Sequence, residues 1–410
     1  MTVTEPTTHL AWPGLYDVRS GVRDRVSATV ARRIFSHATR RLGVQVLGPG
    51  QPQIGTGPAI ELHRPDEFFL RVGSEGLIGF GEGYMAGAWD SPDLDLLLTT
   101  LAAELPSLVP ESLQRLRRFY DARAPHAHRN SVDQTRGNIS HHYDLSNDLF
   151  ATFLDSTLSY SSALFDPLVP DEELATAQVR KIDRLLDQAD VGPGSRVLEI
   201  GTGWGELAIR AARRGAVVRS VTLSSEQLDL ARDRIATAGC SDRVDVELLD
   251  YRLVVGEYDA IVSVEMSEAV GAEYWPTFFA KVDSLLAPGG KVAIQAITMP
   301  HDRMLATRGG FTWINKYIFP GGFLPSTEAI AQVTGEHTTL RVADRFTFGS
   351  HYAETLRRWD EAFTDAADRV RSLGFDDVFA RLWHFYLTYS RAGFASDYLD
   401  VQQFTFERGA

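Results

Sequence analysis

Val197-Leu198-Glu199-Ile200-Gly201-Thr202-Gly203-Trp204-Gly205 is the stretch that decides the fold class of this chain. A short, mainly apolar run from Arg196 ends in an acid, three glycines alternate with other residues, and a helical pattern begins at Glu206. This is the pattern of a strand entering a tight turn, with bare backbone for a ligand to lie against and a helix N-terminus behind it. At the carboxyl end of a parallel strand, such a turn takes a nucleotide-type cofactor. A dinucleotide fingerprint, G-x-G-x-x-G, would need a third glycine where Glu206 stands. The spacing here is E-x-G-x-G-x-G.

Working outward, the chain continues as a helix (206–214), a strand (217–223), a helix (225–238) and a strand (244–249). A strand (258–264), a helix (274–286), the turn Pro288-Gly289-Gly290 and a strand (291–297) follow. Strands alternating with helices at this spacing predict an α/β fold with a doubly wound, mostly parallel sheet. Upstream, a helix over 175–188 leads through Gly192-Pro193-Gly194 into the glycine-rich strand. Ahead of that helix, polar and aromatic residues mix in loop-like runs from Asn138 to Phe150 and from Leu158 to Phe165, which suit a lid over a cofactor. Residues 299–325 are rich in glycine and aromatics and read as an insertion over the active site; two helical patterns, 352–373 and 378–393, close the chain.

The N-terminal third differs. Residues 1–20 read as a tail, and 21–121 as a smaller α+β domain. A linker over 122–137 is polar and aperiodic, and 138–410 forms the cofactor domain with a helical C-terminal cap. In the helix of residues 21–42, Val22, Val26, Val30 and Ile34 recur every four residues among Arg23, Arg25, Arg32, Arg33, Arg40 and Arg41. A basic amphipathic helix of this kind lies on an anionic membrane surface or is an ordinary surface helix. Residues 43–60 read as a loop or hairpin, and 76–87 as a glycine-dense segment. His126 and His128 lack a third ligand at metal spacing, so no metal is expected.

Composition narrows the function. At 410 residues and 44% hydrophobic, the chain is long enough for two or three domains. No apolar run approaches the roughly 18 residues of a membrane span. The first residues lack the order of a signal peptide, and the single cysteine, Cys240, leaves no internal disulfide. A cytoplasmic location is expected. The net charge of −13 argues against bulk nucleic-acid binding.

The E-x-G-x-G-x-G spacing resembles the first motif of S-adenosylmethionine (SAM) methyltransferases. On that reading Gly201, Gly203 and Gly205 let the backbone approach the cofactor, and Glu199 closes the strand. Thr222 and Gln227 reach the ribose, Asp250, Tyr251 and Arg252 the adenine, and Tyr160 and Ser161 the methionine carboxylate. A wider set of motifs resembles the cyclopropane-fatty-acyl-phospholipid synthases. It comprises His142-Tyr143-Asp144-Leu145-Ser146-Asn147, Tyr160-Ser161-Ser162, the 198–205 run, Thr222-Leu223-Ser224 with Gln227, Glu268-Ala269-Val270-Gly271 and the run from Trp313 to Gly321.

The resemblance covers residues 60–408. It implies a Rossmann-like class I methyltransferase that transfers a methyl from SAM to a cis double bond in an acyl chain of a membrane phospholipid. It also implies an N-terminal part engaged in lipid binding or homodimerisation, and peripheral association with the inner face of the membrane. Attack by an alkene leaves a carbocation, for which Phe311, Trp313, Tyr317 and Tyr352 are candidate walls. In the family a bound bicarbonate, held by a Cys, a Glu, a His and a Tyr, removes the proton. Glu268 and Tyr352 match two of these positions, while Ser162 and Ala296 fall on the Cys and His positions. The run Gln295 to Asp302 is similar to the branch that makes the methylene precursor of 10-methylstearic (tuberculostearic) acid, which a separate reductase would finish. Cyclopropane formation is the alternative. A methyltransferase for a small soluble acceptor and an inactive lipid-binding protein are the more distant ones.

Overall fold

The computed structural model describes residues 12–49, 55–104, 146–166 and 171–409. The expected helix over 108–120, the linker and the 142–145 motif lie outside the described residues. The chain divides into two units. The first takes residues 1–123, 311–313 and 374–396, and the second takes 124–310, 314–373 and 397–410. This corrects the uninterrupted 138–410 domain expected from the sequence. The reason is a helix, Asp377–Ala395, whose aromatic residues belong to the first unit's core.

In the first unit, β1 (Gln45–Leu47) and β2 (Ala59–Leu62) pair in parallel, so of the loop and the hairpin read over 43–60 these strands do not form the hairpin, and β3 (Trp89–Asp90) runs antiparallel to β2. The glycine-dense segment is a helix, Leu77–Met85. Its glycines are there for close packing: a Cβ on Gly81 would stand 2.5 Å from the Trp313 ring, and one on Gly79 would stand 2.1 Å from the carbonyl oxygen of Arg71. Phe80, Tyr84, Trp89 and Phe385 then stack with centroids 4.4–6.3 Å apart. Residues 12–20 are more than a tail. Leu15 is buried, its carbonyl accepts from the Arg71 guanidinium at 2.6 Å, and Trp12 Nε1 donates to Asp376.

The basic helix, Val22–Leu42, buries Ala31, Ala38 and Thr39 and packs Phe35 edge-on to Phe68 and Phe69. Its valines point the other way: Val22, Val26 and Val30 are 84%, 62% and 45% exposed. Arg32 bonds Asp66 and Arg41 bonds Glu104, while Arg23, Arg25, Arg33 and Arg40 are exposed beside the valines.

In the second unit, among the described residues, seven strands form one sheet: β4 (Arg196–Ile200), β5 (Val217–Thr222), β6 (Val244–Leu248), β7 (Tyr258–Val264), β8 (Leu286–Thr298), β9 (Leu340–Thr347) and β10 (Asp400–Arg408). The order is β6-β5-β4-β7-β8-β10-β9, with β6 to β8 parallel and β10 antiparallel to both neighbours. The sheet is doubly wound and mostly parallel, as expected. The strands β9 and β10 are additions to the helical ending read from the sequence. β9 is an edge strand exposed along nearly its whole length, so it carries no buried-face alternation to read. Chain order reverses between β4 and β7, and in open α/β sheets the ligand crevice lies outside the strand ends at such a point.

Candidate active site

A cavity opens at the carboxyl ends of β4, β5 and β7. The glycine-rich turn forms its floor. Gly201, Gly203 and Gly205 have φ of +96°, +52° and +88°, the left-handed region in which glycine is unstrained. A Cβ on Gly201 would stand 2.6 Å from Met266 Cγ, whereas one on Gly203 would meet nothing within 4 Å. Gly203 thus leaves a cradle that a side chain would fill, and Gly201 is required by the protein itself. Gly205 caps the helix Glu206–Arg213, and a Cβ on it would stand 3.3 Å from Ala231 Cβ.

Of the residues expected to hold a cofactor, Tyr160, Ser161, Glu199, Gly201, Gly203, Thr222, Gln227 and Tyr251 line this cavity. Thr222 Oγ1 donates to Gln227 Oε1 at 3.0 Å, and Ser224 Oγ caps the helix that carries Gln227. Asp250 and Arg252 are not among the lining residues. The Asp250 carboxylate accepts from Arg252 Nε at 2.9 Å and Nη2 at 2.5 Å, so it is committed to an ion pair beside Tyr251. The expected lid is a tethered wall: Gln178 donates to the carbonyls of Ser159 and Ser161, and Arg234 donates to that of Thr157.

Two ionisable residues in the wall, buried Lys181 and half-buried Glu265, were not singled out from the sequence. Lys181 is buried and donates to Ser161 Oγ at 2.5 Å; burial pulls its pKa down to about 8, against the nearby Glu265 and Asp155. Its signal was a lysine on the apolar stripe of the helix Leu174–Gln188, between Ala177 and Leu185. Glu265 follows β7 directly and lines the cavity. Its signal was an acid at the end of the strand beside the glycine-rich one. Ser162 N (3.0 Å) and Gln295 Nε2 (2.8 Å) donate to Glu265 Oε1, and Tyr352 OH (2.8 Å) donates to Oε2.

The expected catalytic residues are placed differently from one another. Tyr352 and Ser162 meet at Glu265, Ser162 through its backbone N–H while its hydroxyl donates to Ala163 O. Glu268 is buried outside the cavity lining: its carboxyl accepts from Ile297 N and, at 2.9 Å, from Ser267 Oγ. Burial and the charge of Glu265 push its pKa up to about 8. Tyr317 is half-buried away from the cavity lining, and Trp313 lies in the first unit against Gly81 and Phe385. Ala296 is fully buried in the core. Strand alternation turns it away from Gln295, so the β8 position that meets Glu265 is 295 rather than 296.

The mycolic acid cyclopropane synthetase family matches residues 130–404. The chain belongs to that family. It is 54% identical over 406 residues, 97% of this chain and 95% of the other, to the tuberculostearic acid methyltransferase UfaA1 of Mycobacterium tuberculosis. It is 35% identical to the cyclopropane-fatty-acyl-phospholipid synthase of Escherichia coli K12, covering 92% of this chain and 93% of that one. Among solved structures, the mycolic acid cyclopropane synthase CmaA1 with SAH and CTAB aligns at a TM-score of 0.61 and 30% identity, over 70% of this chain and 99% of that one.

The family member is a SAM-dependent methyltransferase of the Rossmann-like class I fold, and its glycine cradle with the Thr222–Gln227 pair fits the cofactor. SAM supplies an electrophilic methyl. Glu199 faces the cavity wholly buried, with its carboxyl held by Ser220 Oγ, and burial pushes its pKa up to about 8. A cationic ligand favours the ionised form. Binding at pH 7 is therefore expected to release protons from Glu199, and to tighten as pH rises towards 8. Calorimetry in buffers of different ionisation enthalpy checks this, with Glu199→Gln as the reference; equal proton release from both would remove Glu199 from the linkage.

Proposed function

We propose that this methyltransferase acts on the cis double bond of an unsaturated acyl chain in membrane phospholipid and gives a methylene-bearing product, the precursor of a 10-methyl branch. The observation that carries the reading is an acid cluster, half-buried Glu265 with buried Tyr352 and Glu268, next to a SAM cradle in a chain similar over 97% of its length to a tuberculostearic acid methyltransferase. Methylation of nitrogen or oxygen uses a lone pair and often discharges through the acceptor's own proton. Methylation of an alkene must draw a proton from carbon, which requires a base held away from water. Cyclopropane formation is the second reading, favoured by the similarity to the E. coli synthase.

Labelled SAM incubated with unsaturated liposomes, saturated liposomes and a soluble extract tests the substrate. Label is expected in the unsaturated lipid only. Label confined to the soluble acceptors would replace the reading with a small-molecule methyltransferase, and no label anywhere would favour a lipid-binding protein.

Access to such a substrate is through the membrane surface. No helix among the described residues is long and apolar enough to cross a bilayer. The Val22–Leu42 helix instead offers exposed valines flanked by arginines, the arrangement of an interfacial helix. Liposome sedimentation should therefore require anionic lipid and weaken as salt shortens the screening length below about 8 Å. Sedimentation indifferent to salt would make this helix a packing element. A homodimer and a separate reductase acting on the product complete the proposal.

A further inference from the structure

Resting on that reading, we propose that Glu265 is the catalytic base: a carboxylate built into the chain where the family resemblance places a bound anion. Of the four residues expected to hold that anion, two meet this carboxylate instead, Ser162 through its backbone N–H and Tyr352 through its hydroxyl. The third donor, Gln295, is oriented by a polar relay. Arg184 can only donate, and its Nη1 meets Gln403 Oε1 at 2.7 Å. Gln403 Nε2 therefore donates to Gln295 Oε1 at 3.0 Å, which leaves Gln295 Nε2 to donate to Glu265. Three donors converge on one group; burial raises its pKa above the ordinary carboxylate value, and the donors together with the nearby Lys181 charge oppose that rise.

The position is also reached at a conformational cost. Glu265 has φ +53°, a backbone that residues other than glycine, asparagine and aspartate rarely take. Its N–H donates to Gln295 O at 2.7 Å, which holds the turn. The result is a carboxylate that lines the same cavity as Gly201, Gly203 and Ser161. Glu268, by contrast, is tied to the backbone of β8. Burial raises the pKa of both neighbouring carboxyls; at Glu265 the three donors and Lys181 oppose the rise, whereas at Glu268 the charge of Glu265 adds to it.

The step balances as follows. The alkene's π pair forms the new bond to the sulfonium methyl carbon, and the S–C pair leaves with sulfur. The resulting acyl-chain cation loses one proton from the transferred methyl to Glu265, and the C–H pair becomes either the exocyclic double bond, after a hydride shift, or the third side of a ring. Glu265 then returns that proton to solvent.

Three measurements on the full-length protein test this. Glu265→Gln keeps the shape and is expected to lose about 10²–10⁴-fold in turnover, with unchanged affinity for S-adenosylhomocysteine. Glu265→Ala leaves the donors without their anion and should bind formate by calorimetry in the absence of lipid, which the wild type should not. Formate or bicarbonate should then restore part of the turnover of Glu265→Ala while leaving the wild type unaffected. Near-wild-type turnover in Glu265→Gln, or wild-type turnover that collapses when bicarbonate is stripped from the buffer, overturns the inference. If the alanine variant does not fold, the glutamine variant decides. A wild type that methylates no lipid overturns the functional reading itself, and the inference falls with it; lipid methylation that survives in Glu265→Gln overturns the inference alone.

Discussion

Alanine at Gly203 is expected to leave a folded protein whose affinity for SAM and S-adenosylhomocysteine falls at least about tenfold, a loss of about 1.4 kcal/mol in binding. The reasoning separates the two glycines of the cradle. At Gly203 the added methyl meets no protein atom within 4 Å, so the fold bears only the left-handed backbone at φ +52°. That costs on the order of 1–2 kcal/mol for an alanine, small against the stability of a domain. The space the methyl enters belongs to the cavity, and the affinity loss measures a ligand that lies there. At Gly201 the same methyl would press on Met266 at 2.6 Å with φ at +96°, so Gly201→Ala should lose stability as well as affinity. Thermal melts and calorimetric titration of both variants check the pair. Wild-type affinity in a folded Gly203→Ala would place the cofactor elsewhere.

The same residues show where sequence reading reaches and where it stops. The glycine turn was legible because its constraint is local: three positions need a conformation that glycine reaches freely, and their spacing is written in the chain. The parallel sheet was legible because short strand patterns such as β4, β5 and β7 alternate with helical ones at the spacing of crossover units. The glycines of Leu77–Met85 misled because their reason is tertiary, the approach of the Trp313 ring and the Arg71 carbonyl. In the acid cluster, Glu268 stood in the recognisable motif and Glu265, three residues earlier, did not. Motif position says which residues recur together, whereas a positive φ and a set of converging donors decide which carboxylate faces the cavity. The Ala296 expectation failed for a related reason. A one-residue shift along a strand reverses the face, and only the pairing of β8 with β7 and β10 fixes it.

Proton NMR of acyl chains extracted after turnover should show vinylidene signals far downfield and no cyclopropane signals far upfield. The two products have the same mass, so intact-lipid mass cannot decide between them. Both arise from one acyl-chain cation, and the branch depends on how quickly a proton is removed from the new methyl. Burial raises the pKa of Glu265 above the ordinary carboxylate value, but each of its three hydrogen bonds must weaken as it takes up a proton, and that slows the transfer. Slow removal leaves time for hydride migration, which moves the cation to the methylated carbon, where loss of a proton from the methyl gives the methylene. A ring requires removal before migration, hence a base nearer the methyl or less encumbered. Reopening the anion site with Glu265→Gly, Gln295→His and Ser162→Cys in bicarbonate buffer should therefore raise the ring signals at the expense of the vinylidene. The His belongs at 295, the β8 position that meets Glu265, rather than at 296, which points into the core. Upfield ring protons from the unmodified enzyme would reject the methylene product and show that proton removal from the methyl outpaces hydride migration even with all three donors in place.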